Sequence, residues 1–225
     1  VAEALSCVQA LVCNMGAIAL TDSMIVGGKE ANRRKIPVVL DPVAVGGTQL
    51  RRDAAKRLLK EVHFTAIRGN ASEIRYLAGQ QTTGAGVDVS DLDAITEENL
   101  PEAQEMIKNL AKSLGTVIAV SGVIDLVSDG ERTMVLRNGC ATMSRITGSG
   151  CMLTSMIGAF VGAAAEDPFT ATCAAMAAMG IAGEIAEKKR IKNGTGNATF
   201  RTDLIDAVFN LTEEELTKGA RYEIF

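Results

Sequence analysis

Short apolar runs alternate with helix-like patterns along most of this chain, and this alternation is the feature that most limits its fold. Four of the runs are too short for buried helices, and they occupy residues 11–14, 36–41, 64–68 and 116–121. Continuous runs of this kind are typical of parallel strands that are buried on both faces. Apolar residues at helical spacing lie between them, as in residues 51–62. Strands that alternate with helices predict an α/β protein with a mostly parallel sheet.

The remaining segments complete this pattern. A hairpin with strands at residues 125–128 and 133–136 is expected at the edge of the sheet. A glycine-containing loop at 82–90 precedes a helix at 101–114, which Gly115 ends. Apolar segments at 152–165 and 169–183 are each shorter than a membrane span, so they are expected to form a buried helical hairpin. The last helix is predicted at 202–210.

Each of the four apolar runs ends in a polar residue. The four residues are Asn14, Asp41, Arg68 and Ser121. In open α/β sheets, ligands bind beyond the carboxyl ends of the parallel strands. We therefore expect these side chains to line one edge of the sheet, where an arginine, a hydroxyl and acidic groups suit an anionic ligand and a metal ion.

A glycine turn leads into the first of the two apolar helices. It is the segment Arg145-Ile146-Thr147-Gly148-Ser149-Gly150-Cys151, in which glycine lets the backbone approach a ligand closely. The first turn of a helix adds unpaired N–H groups and a partial positive charge, which together predict a phosphate site with Cys151 at its mouth. For a lone Gly-Ser-Gly, a turn that merely packs the helix end is the better explanation. The polar strand ends favour the anion site.

Two acidic residues are candidate ligands for Mg²⁺. Asp41 precedes Pro42, and its carboxylate either binds the ion or caps the following turn. Asn70 and Glu73 have the spacing of a capping box, which by itself explains both residues. A second role for Glu73, ordering metal-bound water, is compatible with capping. Arg68 either pairs with phosphate through its planar guanidinium or pairs with these carboxylates.

Composition and charge exclude several classes of protein. A chain of 225 residues, of which 47% are hydrophobic, is long enough for one large domain. The net charge of -4 and the lack of a basic run argue against a nucleic-acid partner. The five cysteines have no metal-binding spacing and are expected to be reduced thiols. Without a signal peptide or a membrane-spanning run, these features predict a cytoplasmic protein.

Three common catalytic or nucleotide-binding motifs do not occur in the sequence. His63 is the only histidine and is expected to be exposed at a helix end, so no Ser-His-Asp triad can form. Gly28-Lys29-Glu30 lacks the Ser or Thr that ends a Walker-type phosphate loop. No G-x-G-x-x-G follows an early strand, which argues against a dinucleotide enzyme.

Four motifs occur in a characteristic order: Val39-Leu40-Asp41-Pro42-Val43, Ala66-Ile67-Arg68-Gly69-Asn70-Ala71-Ser72-Glu73-Ile74, Val120-Ser121-Gly122 and Thr147-Gly148-Ser149-Gly150-Cys151. In order and spacing they resemble the hydroxyethylthiazole kinases, the thiamine-salvage members of the ribokinase-like superfamily. The resemblance extends over essentially the whole chain, and the cysteine marks the thiazole kinases within that superfamily. It implies a ribokinase-like three-layer α/β sandwich, with a mostly parallel central sheet and helices on both faces.

The resemblance implies ATP-dependent phosphorylation of the alcohol of hydroxyethylthiazole, in a homotrimer with active sites between subunits. The residues that would contact ATP are Arg68, Asn70 and Ser121, and those that would organise Mg²⁺ are Asp41 and Glu73. The residues that would act on the transferring phosphoryl group are Gly148, Ser149, Gly150 and Cys151. The residues that would contact the thiazole alcohol are Asn14, Gly16 and Gly148.

The sequence departs from the family pattern in two places. Ala44 stands where the family commonly has glycine. The family also begins several tens of residues earlier, so we expect residues 1–225 to form a single kinase domain that lacks an N-terminal strand and substrate loop.

Cys151 stands where most ribokinase relatives have an aspartate base. A thiol is mostly protonated at neutral pH, although a helix N-terminus favours the thiolate. We therefore expect Cys151 to position the alcohol or to deprotonate it weakly. The cysteine also argues against a hydroxymethylpyrimidine kinase and against a nucleotide-dependent repair lyase, which usually carries Gly-x-Gly-Asp. A non-catalytic protein that binds a nucleotide or a thiazole remains an alternative.

Overall fold

A seven-stranded mixed sheet forms the centre of the protein in a computed structural model that describes residues 3–80 and 94–225. The strands lie side by side in chain order. The first four are parallel, and the last three extend the sheet in antiparallel fashion. Their bounds are β1 Leu11–Asn14, β2 Val38–Asp41, β3 Ala66–Asn70, β4 Val117–Ser121, β5 Asp125–Ser128, β6 Thr133–Leu136 and β7 Tyr222–Ile224.

Helices cover both faces of this sheet. One face carries α1 Thr21–Arg34, α2 Gln49–Glu61, α3 Ala71–Leu77 and α4 Leu100–Leu114. The other face carries α5 Ser149–Ala163, α6 Pro168–Asn193, α7 Asn197–Asn210 and α8 Glu213–Gly219. Short 3₁₀ segments lie at Glu3–Cys7, Met15–Leu20 and Ala141–Arg145. The predicted three-layer α/β sandwich is therefore confirmed, and its parallel part consists of the four strands that the apolar runs predicted.

Successive residues of the parallel strands point into opposite layers. In β2, Leu40 packs in the core that contains α1–α4, whereas Val39 packs against the layer of α5–α7, and both are fully buried. In β4, Ile118 likewise packs in the core that contains α1–α4, and Ala119 packs against the opposite layer. A strand covered on both sides needs apolar residues at consecutive positions, which explains the continuous apolar runs.

Capping residues determine where the helices near the parallel strand ends begin and stop. The hydroxyl of Thr48 accepts the N–H of Arg51 at the start of α2. Asn70 and Glu73 form the predicted capping box of α3. Gly115 adopts a left-handed conformation with φ of 61° at the end of α4, as predicted.

Several predicted boundaries differ from the structure. β3 does not end at Arg68, because Gly69 and Asn70 continue to pair with β4. α5 begins at Ser149 rather than at residue 152. The helix predicted at 202–210 is present and ends as predicted, but it begins earlier, because α7 spans Asn197–Asn210, and it is not the last element, because α8 and β7 follow it. The loop predicted at 82–90 lies outside the described residues.

Within the described ranges, α6 is the one helix that is long and apolar enough to cross a membrane. Most of it is buried, because it packs against the sheet, α5 and α7. The predicted buried hairpin of α5 and α6 is confirmed. α6 is accordingly a core helix of this fold.

Candidate active site

The parallel strands bring polar side chains together at their carboxyl ends, as predicted. Asn14 and Asp41 are register partners at the ends of β1 and β2, and Asn70 and Ser121 are register partners at the ends of β3 and β4. Arg68 lies two residues before the end of β3, which corrects its predicted position. We call the group formed by these residues, Glu73 and the glycine turn at residues 148–150 the strand-end site.

The glycine turn faces this edge of the sheet at the start of α5. Gly148 is the N-cap residue of α5 and has φ of 92°, a conformation that favours glycine. The carbonyl of Gly148 accepts the N–H of Met152 at 2.9 Å. Because α5 begins at Ser149, the amides of Ser149, Gly150 and Cys151 belong to its first turn, which lacks partners within the helix. The turn therefore has the geometry of an anion site.

Arg68 connects the strand ends to the glycine turn. Its side chain is buried, and Nη2 donates a hydrogen bond to the hydroxyl of Ser121. A Cβ added at Gly150 would lie 2.6 Å from Nη1, so the guanidinium rests on the backbone of that glycine. Its Nε is buried and has no hydrogen-bond partner. An unpaired buried donor of a cation beside helix amides fits an anionic ligand such as phosphate.

Asn14 joins three parts of the strand-end site. Its Nδ2 donates to Asp41 Oδ2 at 3.0 Å and to Cys151 Sγ at 3.2 Å. Its Oδ1 accepts the N–H of Gly16 at 2.7 Å. A Cβ at Gly16 would lie 2.7 Å from Asn14 Oδ1, which explains the glycine there. The exposed thiol of Cys151 is thus held at the mouth of the site by the same amide that contacts Asp41.

Asp41 is almost fully buried between β1, β3 and α5. Its Oδ2 also accepts the hydroxyl of Thr154 at 2.9 Å. Burial raises the pKa of Asp41, while the charge of Arg68 and the hydrogen bonds from Thr154 and Cys151 act to lower it. The carboxylate of Asp41 is therefore held in place by hydrogen-bond donors and not by a direct ion pair.

Glu73 has the capping role that its spacing indicated, together with a second contact. Its Oε2 accepts the N–H of Asn70, and its Oε1 accepts the N–H of Ala44, both at 2.8 Å. Ala44 has φ of 53°, a left-handed conformation that is strained for alanine. Burial raises the pKa of Glu73, and the negative charge of Asp41 adds to that rise. Glu73 therefore caps α3 and holds the loop after β2.

Asp125, which is not among the predicted site residues, is the third buried carboxylate in this region. It begins β5, and its Oδ1 accepts the N–H of Gly122 at 2.8 Å. Burial raises its pKa to about 7, although Gly122 and the charge of Arg68 act to lower it. The three-residue spacing from Gly122 to Asp125 was the only sequence feature that pointed to this contact.

The charges of the strand-end site suit a divalent cation together with phosphate. Arg68 acts on the carboxyls of Asp41, Glu73 and Asp125, so one cation faces three buried acids. Within residues 3–80 and 94–225, no group of three His, Cys, Asp or Glu side chains could hold a metal ion by itself. Two carboxylates that share an ion with phosphate oxygens are the usual arrangement for Mg²⁺. Asp41 and Glu73 are the two carboxylates here that could take part in such an arrangement, with Glu73 already accepting two backbone N–H groups.

His63 lies away from this site. It is exposed between α2 and β3, where its backbone N–H donates to Asn32 Oδ1 at 2.8 Å. Its predicted exposure is confirmed.

The layer order and the glycine turn at the strand ends agree with the ribokinase-like fold that the sequence predicted. A comparison with known protein families identifies which family this is, namely the hydroxyethylthiazole kinase family. Residues 1–214 match the model of that family, and the chain belongs to the hydroxyethylthiazole kinase family.

Curated relatives agree with this assignment. The hydroxyethylthiazole kinase of Clostridium acetobutylicum is 45% identical over 204 residues, which are 91% of this chain and 74% of that protein. The hydroxyethylthiazole kinase of Clostridium beijerinckii is 45% identical over 212 residues, which are 93% of this chain and 75% of that protein. The predicted family and the predicted enzyme class, a kinase with an alcohol acceptor, are confirmed.

Solved structures agree as well. The hydroxyethylthiazole kinase from Pyrococcus horikoshii OT3 is 30% identical, with a TM-score of 0.82, and the match covers 100% of this chain and 80% of that chain. The pyridoxal kinase from Staphylococcus aureus in complex with ADP is 17% identical, with a TM-score of 0.52, over 77% of this chain and 62% of that one. The second similarity concerns the fold alone.

Proposed function

We propose that this protein transfers the γ-phosphoryl group of ATP to the hydroxyl of hydroxyethylthiazole, in thiamine salvage. The main structural support is the contact between Arg68 and Gly150. It directs a buried guanidinium, whose Nε is unpaired, and the first-turn amides of α5 toward one place. Phosphoryl transfer depends mainly on positioning and on neutralising charge, and this pair of groups supplies both.

We assign the nucleotide to the side of the site formed by Arg68, Asn70 and Ser121. Arg68 pairs with phosphate oxygens, and the hydroxyl of Ser121 keeps the guanidinium oriented toward them. The amides of Gly148, Ser149 and Gly150 stabilise charge on the group in transfer. Bound Mg²⁺ supplies further neutralisation of phosphate charge, and Asp41 and Glu73 are the side chains that would hold it.

We assign the thiazole alcohol to the neighbouring side, next to Asn14, Gly16 and Gly148. Asn14 holds the thiol of Cys151 at 3.2 Å from its amide nitrogen, at the exposed mouth of the site. There the thiol orients the acceptor hydroxyl and accepts its proton only weakly. Most of the rate enhancement therefore comes from Arg68, the helix amides and the metal ion.

We further infer a single kinase domain, a homotrimer and a cytoplasmic location. The trimer follows from the family resemblance, and three exposed apolar residues, Leu20, Val26 and Leu50, are available for contacts between subunits. The cytoplasmic location is supported by five cysteines that are all free. Light scattering from the purified protein should give a mass three times that of the chain, and a monomer mass would contradict the trimer.

Product analysis tests the residue assignments. The wild type should form ADP and phosphorylated thiazole in equal amounts when ATP, Mg²⁺ and hydroxyethylthiazole are supplied. Arg68→Ala and Glu73→Gln should lower kcat/KM by about 100-fold or more with the fold retained by circular dichroism. Arg57→Ala, which removes an exposed arginine that pairs with Asp22 on the surface, is the matched control and should keep wild-type activity.

The acceptor preference tests the substrate. Hydroxymethylpyrimidine should be a much poorer acceptor than hydroxyethylthiazole in the same reaction. A preference for the pyrimidine alcohol would overturn the assigned substrate but not the kinase class. Binding of ATP without any transfer to an alcohol would favour the binding protein instead.

A further inference from the structure

Asp125 is a buried carboxylate beside Arg68 that the proposed mechanism does not use. It is 8% exposed and begins β5, next to the turn that follows β4. Its Oδ1 accepts the N–H of Gly122 at 2.8 Å. Gly122 follows Ser121, whose hydroxyl receives the hydrogen bond from Arg68 Nη2. A continuous chain of contacts thus runs from Asp125 to the arginine of the strand-end site.

We propose that Asp125 is a positioning residue for the nucleotide, which holds the Ser121–Gly122 turn so that Ser121 and Arg68 meet the phosphates. The proposal rests on the kinase function proposed above. It concerns a residue that touches neither the phosphates nor the alcohol and acts through Ser121 and Arg68.

The strand pairing shows why this turn needs a separate constraint. The last paired residues of β4 and β5 are Val120 and Leu126, so Ser121 pairs with Asn70 of β3 on one side and has no partner in β5 on the other. Within the turn, Gly122 is exposed and Val123 is 83% exposed, so packing does little to hold them. The hydrogen bond from Gly122 to Asp125 closes the turn at its base. Together with the pairing of Ser121 with Asn70, this hydrogen bond holds the Ser121 hydroxyl in place.

Burying the carboxylate of Asp125 costs more free energy than a residue with only a structural role would require. A buried carboxylate without a direct counter-ion is unfavourable, as its raised pKa of about 7 reflects. A neutral acceptor such as an asparagine amide would close the same turn at lower cost. The carboxylate does one thing that a neutral group does not, since its charge acts on the guanidinium of Arg68. This attraction favours the orientation of the arginine toward the turn.

Steady-state kinetics with two substitutions test this role. Asp125→Ala should raise KM for ATP about tenfold and leave KM for the thiazole alcohol within about twofold, because only the nucleotide side loses its support. Asp125→Asn keeps an acceptor for the Gly122 N–H but lacks the charge that acts on Arg68, so it should restore only part of the affinity for ATP. Ser128→Ala is the matched control, because Ser128 is buried in the same strand but bonds to Gly130 and Arg132 at the far end.

The control separates positioning from stability. Ser128→Ala should lower the melting temperature and leave KM for ATP unchanged. An Asp125→Ala protein whose KM for ATP stays within about twofold of wild type would overturn the proposal, and so would equal rises of KM for both substrates. If the wild type forms no product, the kinase function fails; the Kd for ATP, measured by titration, should still rise about tenfold in Asp125→Ala, and an unchanged Kd would overturn the positioning role.

Discussion

The guanidinium of Arg68 lies against the backbone of Gly150, at a distance that leaves no room for a side chain. A Cβ at Gly150 would stand 2.6 Å from Nη1 and 3.2 Å from Nη2. This contact joins β3 to the first turn of α5, two elements that are far apart in the sequence. Gly148 and Gly150 are therefore glycines for different reasons, because Gly148 has φ of 92° whereas Gly150 makes room for the arginine.

Gly150→Ala should displace Arg68 with little loss of stability. The clash falls on the end of a flexible side chain, which can move aside, whereas the helical backbone at residue 150 tolerates alanine. We expect kcat/KM to fall by about 100-fold, with most of the change in KM for ATP. Gly196→Ala, at an open position with no neighbouring atom within 4 Å, is the control and should be neutral. Unchanged kinetics in Gly150→Ala would show that Arg68 does not serve the nucleotide.

Ala44→Gly should stabilise the protein. Ala44 has φ of 53°, which is strained for alanine, and its N–H is held by Glu73 Oε1. Glycine removes about 1 kcal/mol of strain but adds backbone entropy to the unfolded chain, so a net gain of about 0.5 kcal/mol is expected in urea unfolding. Lys35→Gly, at φ of 60° after α1, should behave in the same way. Destabilisation in both variants would argue against strain at these positions.

Arg51→Ala should weaken binding of the thiazole alcohol. Its Nη1 donates to the carbonyls of Met15 and Val43, at 2.8 and 2.9 Å, and so ties the loops after β1 and β2 together. We expect about a tenfold rise in KM for the thiazole alcohol and little change in KM for ATP. Arg52 lies in the same helix as Arg51 and donates to the carbonyl of Gly46 at 2.8 Å. Arg52→Ala is the comparison and should raise KM for the thiazole alcohol less than Arg51→Ala does. The reverse order of the two variants would contradict this assignment.

The pKa of Asp125 predicts how stability changes with pH. Its folded-state pKa of about 7 lies above the ordinary value of 3.8. The folded state therefore binds the proton more tightly, and this contribution to stability is complete below pH 4 and is lost as the pH rises toward 7. Between pH 5 and pH 8, the free energy of unfolding of the wild type should fall relative to that of Asp125→Asn by on the order of 2 kcal/mol. A difference that does not vary with pH would contradict a raised pKa.

Cys151→Ser and Cys151→Ala should both remain active kinases. The thiol is exposed, and its polar contacts are with the amide of Asn14 and the carboxylate of Asp41. We expect kcat to fall by about tenfold, less than the loss typical of a removed general base. Complete loss of product in both variants, with normal binding of ATP, would mean that Cys151 is the base.

Features that depend on local sequence were predictable. The parallel strands were visible as continuous apolar runs because two layers of helices bury both faces of the sheet. The capping box of Asn70 and Glu73 and the left-handed Gly115 follow from spacing along one segment. The proximity of Asn14, Asp41 and Ser121 was predictable because the carboxyl ends of parallel strands lie at the same edge of a sheet.

Features that depend on contacts between distant segments were not predictable. The length of β3 beyond Arg68 is set by pairing with β4 and not by its own residues. The link between Gly122 and Asp125 spans only three residues, but the geometry of its turn depends on how β4 pairs with β5. Likewise, alanine stands at position 44 where the family commonly has glycine, and the structure is needed to show that the Ala44 N–H is held by Glu73.

Mass measurement of the reaction product tests the central claim most directly. The purified protein, supplied with ATP, Mg²⁺ and hydroxyethylthiazole, should form the thiazole monophosphate in step with ADP, and Arg68→Ala should abolish most of it. ADP without the thiazole phosphate, or a thiazole phosphate that forms equally well in Arg68→Ala, would contradict phosphoryl transfer at the strand-end site.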